Sequence, residues 1–196
     1  MSRASVRRRR RRQQRRQNMD YTKLKEILYF GIEIIVVIVI AFVLVYFVGE
    51  KTSVIGASMS PTLSNKDEVI INKFIYTLTD PKREDVVVFR PNGNENTHLN
   101  IKRVVGLPGE TIRVEKGILY IDGEAYQSEF VANGIKDEGI AMEPILLGED
   151  EYFVLGDNVN NSEDSRFANI GNVNKADMEG KVWFCVSPMS NMGFVD

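Results

Sequence analysis

Residues Ile27 to Val48 form a 22-residue apolar run broken only by Glu33. As a helix this run is roughly 33 Å long, against a bilayer hydrocarbon core of about 30 Å, so it can span a membrane. A cleavable leader also starts with a basic region, but its apolar core is only about 7 to 15 residues long. The length therefore predicts an uncleaved anchor. Residues Met1 to Glu26 hold nine Arg and two Lys against Asp20 and Glu26, a net +9, which leaves about −11 for the rest of a chain whose total is −2. The segment just after the run, Gly49-Glu50-Lys51-Thr52, has no excess of positive charge. That asymmetry puts the N-terminus in the cytoplasm and residues 49–196 outside, a single-pass protein of the cell membrane. The block from Arg7 to Arg16 lacks the interleaved aromatic residues of many nucleic-acid binders, and its position next to the span suits anionic lipid headgroups. No nucleic-acid partner is expected. Glu33 has no visible partner charge and reads as an interfacial carboxylate.

The chain divides into a basic tail (1–26), a transmembrane helix (27–48) and one extracytoplasmic domain (49–196). At 196 residues there is room for one moderate core. A single cysteine, Cys185, excludes an internal disulfide, and with the single His98 it is too little for a structural zinc site. Neither metal nor organic cofactor is expected.

Beyond the span, short β-rich runs dominate: Glu68 to Ile75, Asp85 to Arg90, Asn100 to Val105, Thr111 to Glu115, Ile118 to Ile121, Glu151 to Leu155 and Lys181 to Val186. The fold class is mostly β, an antiparallel catalytic sheet with a small β insertion over about 110–149. Lys116-Gly117 and Asp122-Gly123 fall between strand-like runs and predict two consecutive hairpins. Gln127 to Glu149 is acidic and aperiodic, and it reads as an irregular insertion or long loop outside the core.

Three segments concentrate chemistry: Gly56-Ala57-Ser58-Met59-Ser60-Pro61-Thr62-Leu63, Ile101-Lys102-Arg103-Val104-Val105-Gly106-Leu107-Pro108-Gly109-Glu110, and Gly156-Asp157-Asn158-Val159-Asn160-Asn161-Ser162-Glu163-Asp164-Ser165-Arg166. In order and spacing, behind an N-terminal anchor, they resemble the bacterial type I signal peptidases over nearly the whole chain. The resemblance implies removal of N-terminal signal peptides from secretory preproteins, after a site with small residues at the first and third positions before the cut. It implies Ser58 as nucleophile and Lys102 as general base.

The physical chemistry of each position is consistent with that role. A serine hydroxyl needs a base, and a lysine is a base only when its pKa lies well below about 10.4, which burial achieves. On a strand, Arg103 points away from Lys102. By resemblance, the Ser58 N–H is an oxyanion donor. Gly56, where some relatives carry serine, shapes the second donor through a backbone N–H or a neighbour. Ser162 corresponds to a residue that hydrogen-bonds the lysine, Asp164 and Arg166 to a supporting charge pair, and Asp157 with Asn158 to a tight turn. Val159 and Glu84 depart from the family pattern, which commonly has arginine and glycine there.

Rival chemistries fare worse. A Ser-His-Asp site would have to use His98, whose flanks carry no catalytic signature. A sortase-like site would pair Cys185 with His98 but needs an arginine after the cysteine, and the last arginine is Arg166. The alternative from another class is a non-catalytic, membrane-anchored relative that binds preproteins or an assembly partner.

Overall fold

The computed structural model describes residues 21, 23, 25–42, 49–132 and 134–195. These fall into two units, within Met1–Phe47 and Val48–Asp196. In the first, residues 25–42 form helix α1, whose apolar side chains from Ile27 to Phe42 are exposed. Among the described residues no helix is long and apolar enough to cross a membrane. The span expected over 27–48 is thus described only as far as Phe42, and 43–48 lie outside the described residues, as does most of the tail.

The second unit is built from β1 (Gly49–Ser53), β2 (Glu68–Asn72), β3 (Val86–Phe89), β4 (Asn100–Gly106), β5 (Thr111–Glu115) and β6 (Ile118–Ile121). It continues through β7 (Glu124–Ala125), β8 (Ile145–Leu146), β9 (Glu151–Leu155), β10 (Val173–Asn174), β11 (Met178–Ser187) and β12 (Gly193–Phe194). They make an eight-stranded sheet in the order β1-β2-β11-β3-β4-β9-β10, with β12 on β11, and a four-stranded sheet in the order β7-β6-β5-β8. Every pairing is antiparallel. The mostly β, antiparallel expectation and the small β insertion both hold.

Local chemistry explains the element ends. β2 stops at Asn72, short of the expected Ile75, because the Asn72 side chain accepts hydrogen bonds from the N–H groups of Phe74 and Ile75, both at 3.1 Å, and turns the chain into the short helix α2 (Ile75–Leu78). The two expected hairpins form, with Lys116 at φ 51°, Gly117 at 80°, Asp122 at 51° and Gly123 at 83°, the left-handed pairs that two-residue turns need. β3 is buried at all four positions, Val86, Val87, Val88 and Phe89, since it lies between β11 and β4.

The stretch 127–149 departs from its reading as a loop outside the core. It carries β8, which pairs with β5, and it buries Ile135, Ala141 and Leu147 beside Ile112, Val114 and Leu119. Three scattered apolar residues in an aperiodic run are enough to complete a small core.

Candidate active site

Ser58 lies in the loop between β1 and β2. That loop is closed at its base by paired backbone bonds, Val54 N–H to the Asp67 carbonyl and Lys66 N–H to the Val54 carbonyl, each 2.8 Å. Buried Met59 and Leu63 pin it to the core, each 1% exposed. Asn158 clasps it from the far end of the chain. Its N–H donates to the Ser58 carbonyl at 2.9 Å and its side-chain amide to the Ala57 carbonyl at 3.2 Å. Two residues before Asn158, Gly156 is obligatory: a Cβ there would lie 2.2 Å from Ser162 Oγ and 2.5 Å from the Ser58 carbonyl oxygen.

Lys102 sits on β4 opposite Val87, while Arg103 sits opposite Val86 and Leu155, so the two cations leave the strand on opposite faces. Lys102 is 4% exposed. Its Nζ donates to Ser58 Oγ at 2.8 Å and to the Ile101 carbonyl at 3.2 Å. Burial holds the ammonium below the ordinary lysine range, opposed by the negative charges of Asp164, Glu163 and Asp157. A cleft of about 260 Å³ opens beside the pair, lined by residues 52–59, 99–102, Asn161 and Glu163.

The segment after β9 brings two buried ion pairs beside the lysine. Arg166 grips Asp164 through two bonds of 2.8 and 2.9 Å, both residues essentially buried, and reaches the Asp137 carbonyl at 2.8 Å. Asp157 takes Arg103 in the same two-pronged way, at 2.8 and 2.9 Å, each side chain 1% exposed. The motif therefore does more than turn the chain: its aspartate is the counter-ion of the arginine beside Lys102. Arg103 also lies 3.8 Å from the centre of the Phe130 ring. Sequence reasoning missed this pairing, which spans 54 residues; a buried arginine in a strand of apolar neighbours was the available signal.

Ser162 Oγ is buried but makes no hydrogen bond among the described residues and does not reach Lys102, whose amine is directed to Ser58 and the Ile101 carbonyl instead. The Gly56 N–H, at φ 89°, is already committed to Asn65 Oδ1 at 3.0 Å, so it is not an open oxyanion donor. The Ser58 N–H makes no hydrogen bond among the described residues. His98 is exposed, and Cys185 is 2% exposed on β11, where its Sγ lies 3.5 Å from the Ser187 carbonyl. Neither takes part in the cleft.

A serine hydroxyl bonded to a buried lysine on an antiparallel β scaffold is the arrangement of a serine hydrolase with a lysine base. Comparison with known proteins shows the family. The family model described as signal peptidase, peptidase S26 matches residues 27–187. Signal peptidase I P of Bacillus subtilis subsp. natto is 36% identical over 154 residues, 75% of this chain and 82% of that protein. Signal peptidase I of Bacillus amyloliquefaciens is 33% identical over 166 residues, 81% of this chain and 87% of that protein. A crystal structure of a signal peptidase I from Enterococcus faecalis aligns with 53% of this chain and 97% of that one, at 30% identity and a TM-score of 0.42. The chain belongs to the peptidase S26 signal peptidase family.

Proposed function

We propose that this chain is a signal peptidase I, a serine endopeptidase that removes signal peptides from secretory preproteins with Ser58 as nucleophile and Lys102 as general base. The observation that carries the residue assignment is the 2.8 Å hydrogen bond from Lys102 Nζ to Ser58 Oγ, made by a lysine that burial keeps from holding its proton as tightly as usual. Lys102 takes the Ser58 proton as Oγ attacks the carbonyl of the residue before the cut. The tetrahedral oxyanion meets the uncommitted Ser58 N–H. Lys102 then passes the proton to the departing amine, and the acyl-enzyme forms. Water, deprotonated by the same amine, releases the signal peptide and regenerates Ser58.

Around this dyad, Gly56 and Asn158 shape the loop, while Asp157, Asp164 and Arg166 fix the surroundings of the lysine. Ser162 is a neighbour that reaches Lys102 only if its side chain or the amine moves. The modest cleft accords with small side chains at the first and third positions before the cut, and an extended preprotein can run beside the exposed edge strand β1. Residues 27–48 serve as a single-pass anchor, with the basic tail held to anionic lipids on the cytoplasmic side and residues 49–196 outside. The exposed apolar side chains of α1 support this reading. A tethered site meets preproteins where they emerge from the bilayer.

The test is cleavage of a preprotein in lipid or detergent by the wild type, Ser58→Ala and Lys102→Ala, each checked for folding by circular dichroism. Release of mature protein by the wild type alone is expected. Binding without cutting by all three would replace the enzyme with a non-catalytic relative.

A further inference from the structure

One wall of the cleft has no part in the reaction as proposed. Of the residues lining it, only Lys102 and Glu163 carry acidic or basic side chains. Glu163 is held in place: its Oε1 accepts a hydrogen bond from the Asn169 side chain at 2.7 Å, and the Asn169 carbonyl is in turn gripped by the Asn92 side chain at 2.9 Å. Among the described residues no lysine or arginine forms an ion pair with this carboxylate.

The neighbouring acids differ. Asp157 is neutralised by Arg103 and Asp164 by Arg166, both in buried two-pronged pairs. Lys102 must be neutral to act as a base, so in the reactive state it cannot offset Glu163 either. Until Lys102 takes the Ser58 proton, a negative charge with no ion-pair partner among the described residues therefore stands on the cleft wall as the substrate binds.

An extended substrate alternates its side chains. When the first and third residues before the cut face the cleft floor, the second points toward solvent, and Glu163 is the lining residue whose charged side chain is exposed there. We infer that Glu163 is a specificity-determining residue that selects the middle residue of the small-x-small site by charge, favouring lysine or arginine there over aspartate or glutamate. The inference rests on the cleavage reaction proposed above. Because the carboxylate is exposed, the effect is modest: about threefold in kcat/KM for lysine over glutamine, and about tenfold for lysine over glutamate.

The experiment uses the full-length protein in detergent and three preprotein peptides that differ only in carrying Lys, Gln or Glu between the two small residues. Each is cleaved by the wild type, Glu163→Gln and Glu163→Lys, at low and at high salt. The wild type is expected to rank them Lys, Gln, Glu, with the ranking narrowed by salt. Glu163→Gln should level it and Glu163→Lys should invert it, the ranking being read within each variant because the Glu163 charge also acts on Lys102. An unchanged ranking in Glu163→Gln overturns the inference and leaves the cleavage reading standing. A wild type that cuts none of the three removes the cleavage reading itself.

Discussion

The two sheets of the second unit bury different things. The four-stranded sheet turns Ile112, Val114 and Leu119 inward and closes over them with Ile135, Ala141 and Leu147, without a buried charge. The eight-stranded sheet and the segment after β9 bury Lys102, Arg103, Asp157, Asp164 and Arg166 within a short distance along two pieces of chain. Removing each ion from water costs several kcal/mol, and excellent pairing is needed to offset it. Both arginines have such pairing; the lysine between them has only a hydroxyl and a carbonyl. The small sheet buries apolar side chains, whereas the large one buries an amine at a cost in stability, and the proposed reaction uses that amine in its neutral form.

The largest expected effect comes from removing that amine. Lys102→Met should lower turnover by about 10⁴-fold yet make the protein more stable at neutral pH. The sign follows from linkage. The unfolded lysine keeps its proton up to about pH 10.4 while the folded one releases it earlier, so wild-type stability rises with pH across that window and falls as pH drops. Urea melts at pH 7 and pH 10 should show the advantage of Lys102→Met shrinking at the higher pH. Wild-type cleavage should likewise switch on along a limb below the ordinary lysine range. A variant less stable than wild type at pH 7 would contradict the desolvated amine.

Breaking a pair should have the opposite sign. Arg166→Leu leaves Asp164 buried and unpaired and should cost about 3 to 5 kcal/mol, while the double change Asp164→Leu with Arg166→Leu should cost far less. Denaturant titration of the two variants tests this, and equal losses would mean the arginine acts through packing alone.

In the small sheet Leu119→Ala should cost about 3 kcal/mol through the cavity it leaves, with kcat/KM unchanged well below the melting transition. A loss of turnover there would break the contrast between the sheets. The smallest effect tests the joint between them. Tyr126→Phe removes the hydroxyl that donates to Glu84 at 2.5 Å and should cost about 1 kcal/mol, read as a small fall in the denaturation midpoint.

Much of this arrangement was legible from the residues. Period-two alternation placed β5 and β6 at their observed bounds, and Lys-Gly and Asp-Gly pairs placed their turns. Gly49–Ser53 was not legible as a strand, because Gly-Glu-Lys-Thr-Ser has no alternation and owes its extended form to pairing with β2. In the site, Ser58 and Lys102 were marked by resemblance and by the chemistry each requires, and alternation sent Arg103 to the far face. Its partner Asp157 was read as a turn residue. Gly-Asp-Asn is a turn signal in any context, and which cation it meets depends on the register of β4 against β9, which composition does not encode. The commitment of the Gly56 N–H to Asn65 was hidden for the same reason, since it depends on how a loop folds back on itself.

Gly156 carries a consequence for how this protein tolerates change. Its missing side chain lets the Ser58 carbonyl and the Ser162 side chain close in on the same backbone position. Two stretches of sequence about a hundred residues apart are thereby fitted together like a key and its ward. A genetic screen for failed secretion should recover changes at 156 as readily as at 58, although this position has no reactive atom. In a mutational map of the protein it should stand out as intolerant even of alanine, where exposed positions accept most substitutions.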